Sequence, residues 1–280
     1  MGGALAAAPA WASHVKDRFK AIEARTDGRL GLWAGQQGND NVVGWRENER
    51  FLMCSTFKAL AVSAILSKVD RGDERLDRWV PYGREDLQSY APAATANLSK
   101  GGMTLADLCA AAVELSDNTA ANLILASLGG PAQVTAYLRA LGDKTTRLDR
   151  TEPSLNDPAP NGAPLDTTTP ASMTGLWRRL LLRDALSPAS RTRLKGWLEA
   201  TSTGPQRLPA ATPRGWTLGH KTGSGRTTIG DVGIATPPGG RPILIAVYLE
   251  TSGALGRPHD DAIAEAARIA FDVIAPARSA

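Results

Sequence analysis

Two cysteines in 280 residues leave no disulfide framework to hold this chain together. Three histidines, His14, His220 and His259, stand apart without metal-ligand spacing, so metal catalysis is not expected and no cofactor is implied. No apolar run approaches the ~20 residues that cross a bilayer, so no membrane partner is expected. The formal charge is only +4, with arginines and acids interspersed, which argues against a nucleic-acid face. The chain also lacks a Gly-x-Ser-x-Gly segment, internal repeats and low-complexity linkers.

What is present is an ordinary globular composition, 42% hydrophobic and 21% charged, long enough for one large core or two interlocked lobes. The start, Met1 to Ser13, is small and alanine-rich. Ala8-Pro9-Ala10 and Ala10-Trp11-Ala12 resemble export-signal cleavage remnants, but the charged and long apolar parts of such a signal are missing. A mature exported protein with a new initiator and a merely frayed terminus are both open readings.

Val15, Phe19 and Ile22 have helical spacing over residues 14–26, and Gly28–Trp33 and Val42–Trp45 read as strands around a turn at Gln36–Asn41. From Ser55 to about Thr201 helix signals dominate. Thr104 with Asp107 forms a cap pattern, Gly129-Gly130 ends one helix, Pro131 opens the next, and Thr169-Pro170 and Ser187-Pro188 repeat the cap-then-proline start. The period then changes to strands at Trp216–Lys221, Ile229–Ala235 and Ile243–Leu249, and an amphipathic helix carries Ile263, Ala266, Ile269, Ala270 and Val273. The expected fold is α/β plus all-α: a sheet flanked by N- and C-terminal helices, with a helical domain inserted. Residues 1–50 and 200–280 would form the discontinuous sheet domain and 51–199 the helical one.

Four segments carry the chemistry. In Ser55-Thr-Phe-Lys58 the spacing puts the amine of Lys58 on the face of Ser55, at a helix N-terminus suited to a developing oxyanion. The pattern is cheap, and Ser13-His-Val-Lys16 matches it too, but without companions. Ser116-Asp117-Asn118 offers a proton shuttle and a side-chain amide, although all three residue types are also default helix caps. Arg150 and Asp166 could clamp an aperiodic Ω-type loop with four prolines, in which Glu152 and Asn156 could share a water. Glu152-Pro153 is a candidate cis peptide. Lys221-Thr222-Gly223-Ser224 supplies a cation and two hydroxyls for a carboxylate, and Gly223 and Gly225 permit close backbone approach.

Together these segments resemble the class A serine β-lactamases, over essentially the whole chain. The resemblance implies the serine β-lactamase and penicillin-binding transpeptidase-like fold with an antiparallel sheet. It also implies hydrolysis of penicillin- and cephalosporin-type antibiotics through an acyl-serine intermediate. Ser55 would be the nucleophile, its N–H and that of Ser224 the oxyanion hole, and Ser116 the proton relay to the leaving nitrogen. Either Lys58 or Glu152 would take the serine proton. Glu152 and Asn156 would hold the hydrolytic water, and Asn118 a substrate carbonyl. Lys221, Thr222, Gly223 and Ser224 would bind the substrate carboxylate, with Arg207 helping and Tyr90 at the mouth. The expected partners are small-molecule β-lactam substrates and inhibitors, the expected state a monomer, and the expected location periplasmic or secreted.

The departures bear on breadth. His220 stands where the family usually has aspartate, the Arg150–Asp166 loop is one residue longer, and the hairpin after Gly225 is shorter. Cys54 resembles a disulfide cysteine of some carbapenem-hydrolysing members, but its usual partner position is Gly225. Ser224 is compatible with an extended spectrum, and carbapenem hydrolysis stays open. A DD-peptidase that merely binds β-lactams, and a sensor that stays acylated, are the alternatives. Glu152 argues against the first, and the uninterrupted catalytic set against the second.

Overall fold

Strand β9 (Ile243–Thr251) is buried along almost its whole length, as a central strand covered on both faces must be. Its side chains divide by the strand period of two. Ile243, Ile245, Val247 and Leu249 enter one core, and Leu244, Ala246 and Tyr248 the other. The computed structural model describes residues 10–36 and 42–276. The Ala8-Pro9 remnant and residues 37–41 of the expected turn lie outside the described residues.

Around β9 an antiparallel sheet takes the order β2-β1-β9-β8-β7, with β1 at Gly28–Gln36, β2 at Val42–Trp45, β7 at Thr217–Ser224 and β8 at Thr228–Thr236. Helices α1 (Ala10–Thr26) and α10 (Arg257–Ile274) cover one face, burying Phe19, Ile22, Ile263 and Ile269 against β1 and β9. Helix α1 starts at Ala10, four residues before the expected position 14.

The stretch between β2 and β7 packs on the other face through Phe57, Leu60, Leu105, Leu125 and Trp177. Its helices are α2 (Phe57–Asp70), α3 (Pro92–Ala96), α4 (Leu105–Glu114), α5 (Asn118–Leu128), α6 (Pro131–Ala140), α7 (Pro170–Leu182) and α8 (Pro188–Glu199). The short α9 (Leu208–Ala211) precedes β7. The anticipated caps are in place: Thr104, Asp117, Thr169 and Ser187 each accept from a backbone N–H three residues on. Each such cap is worth ~1 kcal/mol to its helix. Two small ladders interrupt the expected helical stretch, β3 (Phe51–Leu52) with β6 (Thr167–Thr168) and β4 (Trp79–Pro81) with β5 (Gly102–Thr104). Strands of two or three residues are too short to show a period, so the sequence pattern missed them. No helix among the described residues is long and apolar enough to cross a membrane.

Candidate active site

A left-handed backbone at Cys54 (φ 44°) turns the chain into a single 3-10 turn, Cys54–Thr56, which leads into α2 and points Ser55 at the sheet. Ser55 Oγ does not take Lys58 as its partner; it donates to Glu152 Oε1 at 3.2 Å. Lys58, fully buried, spends its donors elsewhere: on Glu152 Oε1 at 3.0 Å, Ser116 O at 2.8 Å and Asn118 Oδ1 at 2.5 Å, with Ser116 Oγ at 3.4 Å. One carboxylate oxygen therefore links hydroxyl and ammonium.

Ser116 follows α4 in a left-handed conformation (φ 59°) that brings its hydroxyl between two lysines. Lys221 Nζ donates to Ser116 Oγ at 3.0 Å and to Thr222 O at 3.0 Å. Asp117 keeps its capping role and extends it. Its Oδ1 accepts Ala120 N–H on α5 at 2.8 Å, while Oδ2 accepts Ala93 and Ala94 N–H on α3 at 2.9 Å each. Asn118 N–H bonds Tyr90 O at 2.9 Å, so the same junction sets Tyr90, which stands half-exposed at the mouth.

Glu152 sits on the proline-rich loop, whose neck is closed as expected: Arg150 Nε donates to Asp166 Oδ2 at 2.6 Å, and Asp149 and Arg150 N–H donate to Oδ1 at 2.7 and 2.9 Å. The Glu152-Pro153 peptide is cis. Asn156 Nδ2 donates to Glu152 Oε2 at 2.5 Å, whereas its buried Oδ1 has no hydrogen-bond partner within the protein.

Strand β7 runs along the opposite wall. A Cβ on Gly223 would lie 2.6 Å from Met53 O, so only glycine lets the strand approach the Ser55 turn this closely. A Cβ on Gly225 would lie 2.8 Å from Cys54 Sγ, which places the two positions face to face; Cys54 itself is a free, buried thiol. Arg207 is buried beside β7 and donates to Gly223 O, to Gly230 O and, through Nη2, to Ser224 Oγ at 2.8 Å.

A cleft of about 320 Å³ opens between these walls, lined by Ser55, Tyr90, Ser116, Asn118, Asn156, Thr203, Gly204, Arg207, Thr222 and Ser224. Glu152, Lys58 and Lys221 lie behind that lining, and Gly223 sits in the β7 wall. Burial lowers the pKa of both lysines, because removal from water disfavours the charged form. The neighbouring charge of Lys58 pushes Lys221 down further, whereas the charge and hydrogen bond of Glu152 oppose the shift on Lys58. The arrangement can hold a nucleophilic hydroxyl against a base and pass protons along Lys58, Ser116 and Lys221.

Several contributors escaped the sequence reading. Thr203 Oγ1 bonds Thr222 Oγ1 at 2.6 Å, beside Gly204 in a left-handed turn. Asn122 brackets the backbone of Glu152; its spacing of four from Asn118 on α5 was the available signal. Asp260 Oδ1 receives Arg207 Nε at 2.6 Å, a contact across 53 residues with no local signature.

A family model described as "Beta-lactamase enzyme family" matches residues 14–274. The β-lactamase of Streptomyces albus G is 40% identical over 268 residues, covering 94% of this chain and 85% of the relative. β-Lactamase FAR-1 of Nocardia farcinica is 43% identical over 251 residues, covering 89% and 80%. Among solved structures, the class A β-lactamase described as that of the last common ancestor of Gram-negative bacteria is 50% identical, with a TM-score of 0.88 over 91% of this chain and 97% of that one.

Proposed function

The chain belongs to the class A β-lactamases, serine hydrolases of antibiotic resistance, and from that premise we propose how its own residues divide the work. Ser55 Oγ attacks the lactam carbonyl and gives its proton to Glu152 Oε1, the acceptor it already touches, with Lys58 behind that oxygen. The backbone N–H groups of Ser55 and Ser224 receive the developing oxyanion. As the lactam C–N bond breaks, Ser116 Oγ passes a proton to the ring nitrogen and is resupplied from the lysine beside it.

The substrate carboxylate lies against Thr222, Ser224 and Arg207, with the charge of Lys221 behind them and Gly223 permitting close approach. Asn118 holds the acyl side-chain carbonyl, and Tyr90 bounds the mouth. Lys58, having given its proton through Ser116, takes the one held on Glu152 Oε1; the ionised carboxylate then takes a proton from a water, which attacks the acyl ester, and hands it to Ser55 Oγ as the ester breaks. The observation that carries this division is the paired hold on Glu152: Oε1 on Ser55 and Oε2 on Asn156.

The test is Glu152→Gln treated with a penicillin and followed by intact-mass spectrometry. A persistent adduct on Ser55 is expected: Lys58, freed of Glu152, substitutes as the base for acylation, whereas losing the base that activates the water costs several orders of magnitude in the rate of release. Normal turnover by the variant would reject the assignment.

We extend the proposal to breadth on one feature, the Ser224 hydroxyl held by Arg207 at the open rim. It supports hydrolysis of extended-spectrum cephalosporins and carbapenems; zero hydrolysis of both in a rate panel removes the extension. The family membership also supports an exported monomer, periplasmic or secreted, which cell fractionation and sedimentation would check.

A further inference from the structure

Behind the carboxylate-binding wall lies a buried pair that the proposed reaction does not use. His220, one residue before Lys221, is 3% exposed, and Asp231 on β8 is fully buried. His220 Nδ1 lies 2.9 Å from Asp231 Oδ1 and 3.1 Å from Oδ2. The strand register sets Thr222 opposite Asp231 and Gly233 opposite His220, so His220 and Asp231 share one face of the sheet. Lys221 leaves by the other face, toward Ser116.

Asp231 has a second donor. Leu208 N–H bonds its Oδ2 at 3.1 Å, and Leu208 directly follows Arg207. With Oδ2 already accepting the Leu208 N–H, the pair is assigned with Nδ1–H of His220 as donor and the Asp231 carboxylate as acceptor. From this anchored backbone Arg207 reaches four acceptors: Asp260, the carbonyls of Gly223 and Gly230, and the Ser224 hydroxyl. The chain of contact runs from His220 through Asp231 and the Leu208 amide to the guanidinium.

We propose that His220 is a positioning residue for substrate binding: its Nδ1–H holds the Asp231 carboxylate on the Leu208 amide and so sets Arg207 for the substrate carboxylate. Without that donor, a fully buried carboxylate is left short of a partner and must turn or take up a proton. Either response loosens the Leu208 N–H and lets Arg207 drift. The chemistry at Ser55, on the opposite face, is not touched. The inference rests on the reading of Arg207 as part of the carboxylate anchor.

The experiment compares His220→Asn, whose amide nitrogen occupies the place of Nδ1, with His220→Leu and His220→Gln, whose groups do not. Steady-state kinetics are measured with benzylpenicillin and with its neutral methyl ester. The leucine and glutamine variants should raise KM for the acid about tenfold, the worth of one hydrogen bond to a buried charge. Their kcat should stay within about threefold, KM for the ester should not move, and the asparagine variant should restore wild-type values.

Equal KM for the acid in all variants overturns the proposal, as does equal damage with both substrates or failure of asparagine to rescue. If the leucine variant does not fold, the asparagine and glutamine pair decides the question alone. A wild-type enzyme that does not distinguish acid from ester overturns the Arg207 reading itself, and the role of His220 falls with it.

Discussion

Asn122 brackets the backbone of Glu152: its Nδ2 donates to the glutamate carbonyl at 2.9 Å, and its Oδ1 accepts the glutamate N–H at 2.9 Å. A rigid helix, α5, thereby fixes the loop that carries the proposed base. Asn122→Ala removes both bonds, at a cost of about 1–3 kcal/mol in stability. The looser carboxylate should slow release of the acyl group by about tenfold or more. Pre-steady-state kinetics would show a burst followed by a slower steady rate, whereas an unchanged steady rate would deny Asn122 this role.

Asp166 accepts three N–H donors at the loop neck and sits in the left-handed region at φ 56°. Asp166→Ala strips the partner from Arg150 and places alanine in a disfavoured conformation, with an expected loss of about 3–5 kcal/mol. Urea unfolding measures it. A loss under about 1 kcal/mol would mean the neck closes by other means.

At the opposite wall, Gly223→Ala would drive a methyl group to 2.6 Å from Met53 O, a backbone atom that cannot swing aside. Strand β7 must then withdraw from the Ser55 turn. We expect about 1–3 kcal/mol of destabilisation and a fall in kcat/KM of at least about tenfold from the lost alignment. Wild-type kinetics with full stability would contradict the contact.

Burial lowers Lys58 below its ordinary value of 10.5, and Glu152 opposes that shift. Glu152→Gln removes the opposition, so the neutral amine, the form that accepts a proton, persists to lower pH. The acylation rate of this variant, followed by stopped flow, should rise with pH through an inflection below 10.5. A flat profile would exclude Lys58 as the substitute base. The stability sign is the same: the folded protein binds fewer protons at Lys58 and Lys221 than the unfolded chain, so their contribution grows with pH up to about 10.5 and is lost as pH falls through the lowered folded values.

Much of the fold was legible because it is written locally. The caps at Thr104, Asp117, Thr169 and Ser187 act within three residues, and the apolar run Ile243–Leu249 reads directly as a strand. The small ladders β3–β6 and β4–β5 were not legible, since their pairing spans long loops and leaves no period. Of the site, the residue types and their order were readable in four segments, and the cleft brings them together. The wiring was not. Helical spacing puts Lys58 on the face of Ser55, but it says nothing of a carboxylate arriving from 97 positions away to stand between them.

By itself, then, the sequence determined which groups this enzyme owns and which of the longer elements carry them, because side-chain period and capping act over three or four residues. Only the tertiary structure decided who touches whom: Glu152 on Ser55, two lysines on Ser116, Asp260 on Arg207, His220 on Asp231. Those choices depend on how distant segments share a small buried volume, where each acceptor goes to the donors that packing brings within about 3 Å.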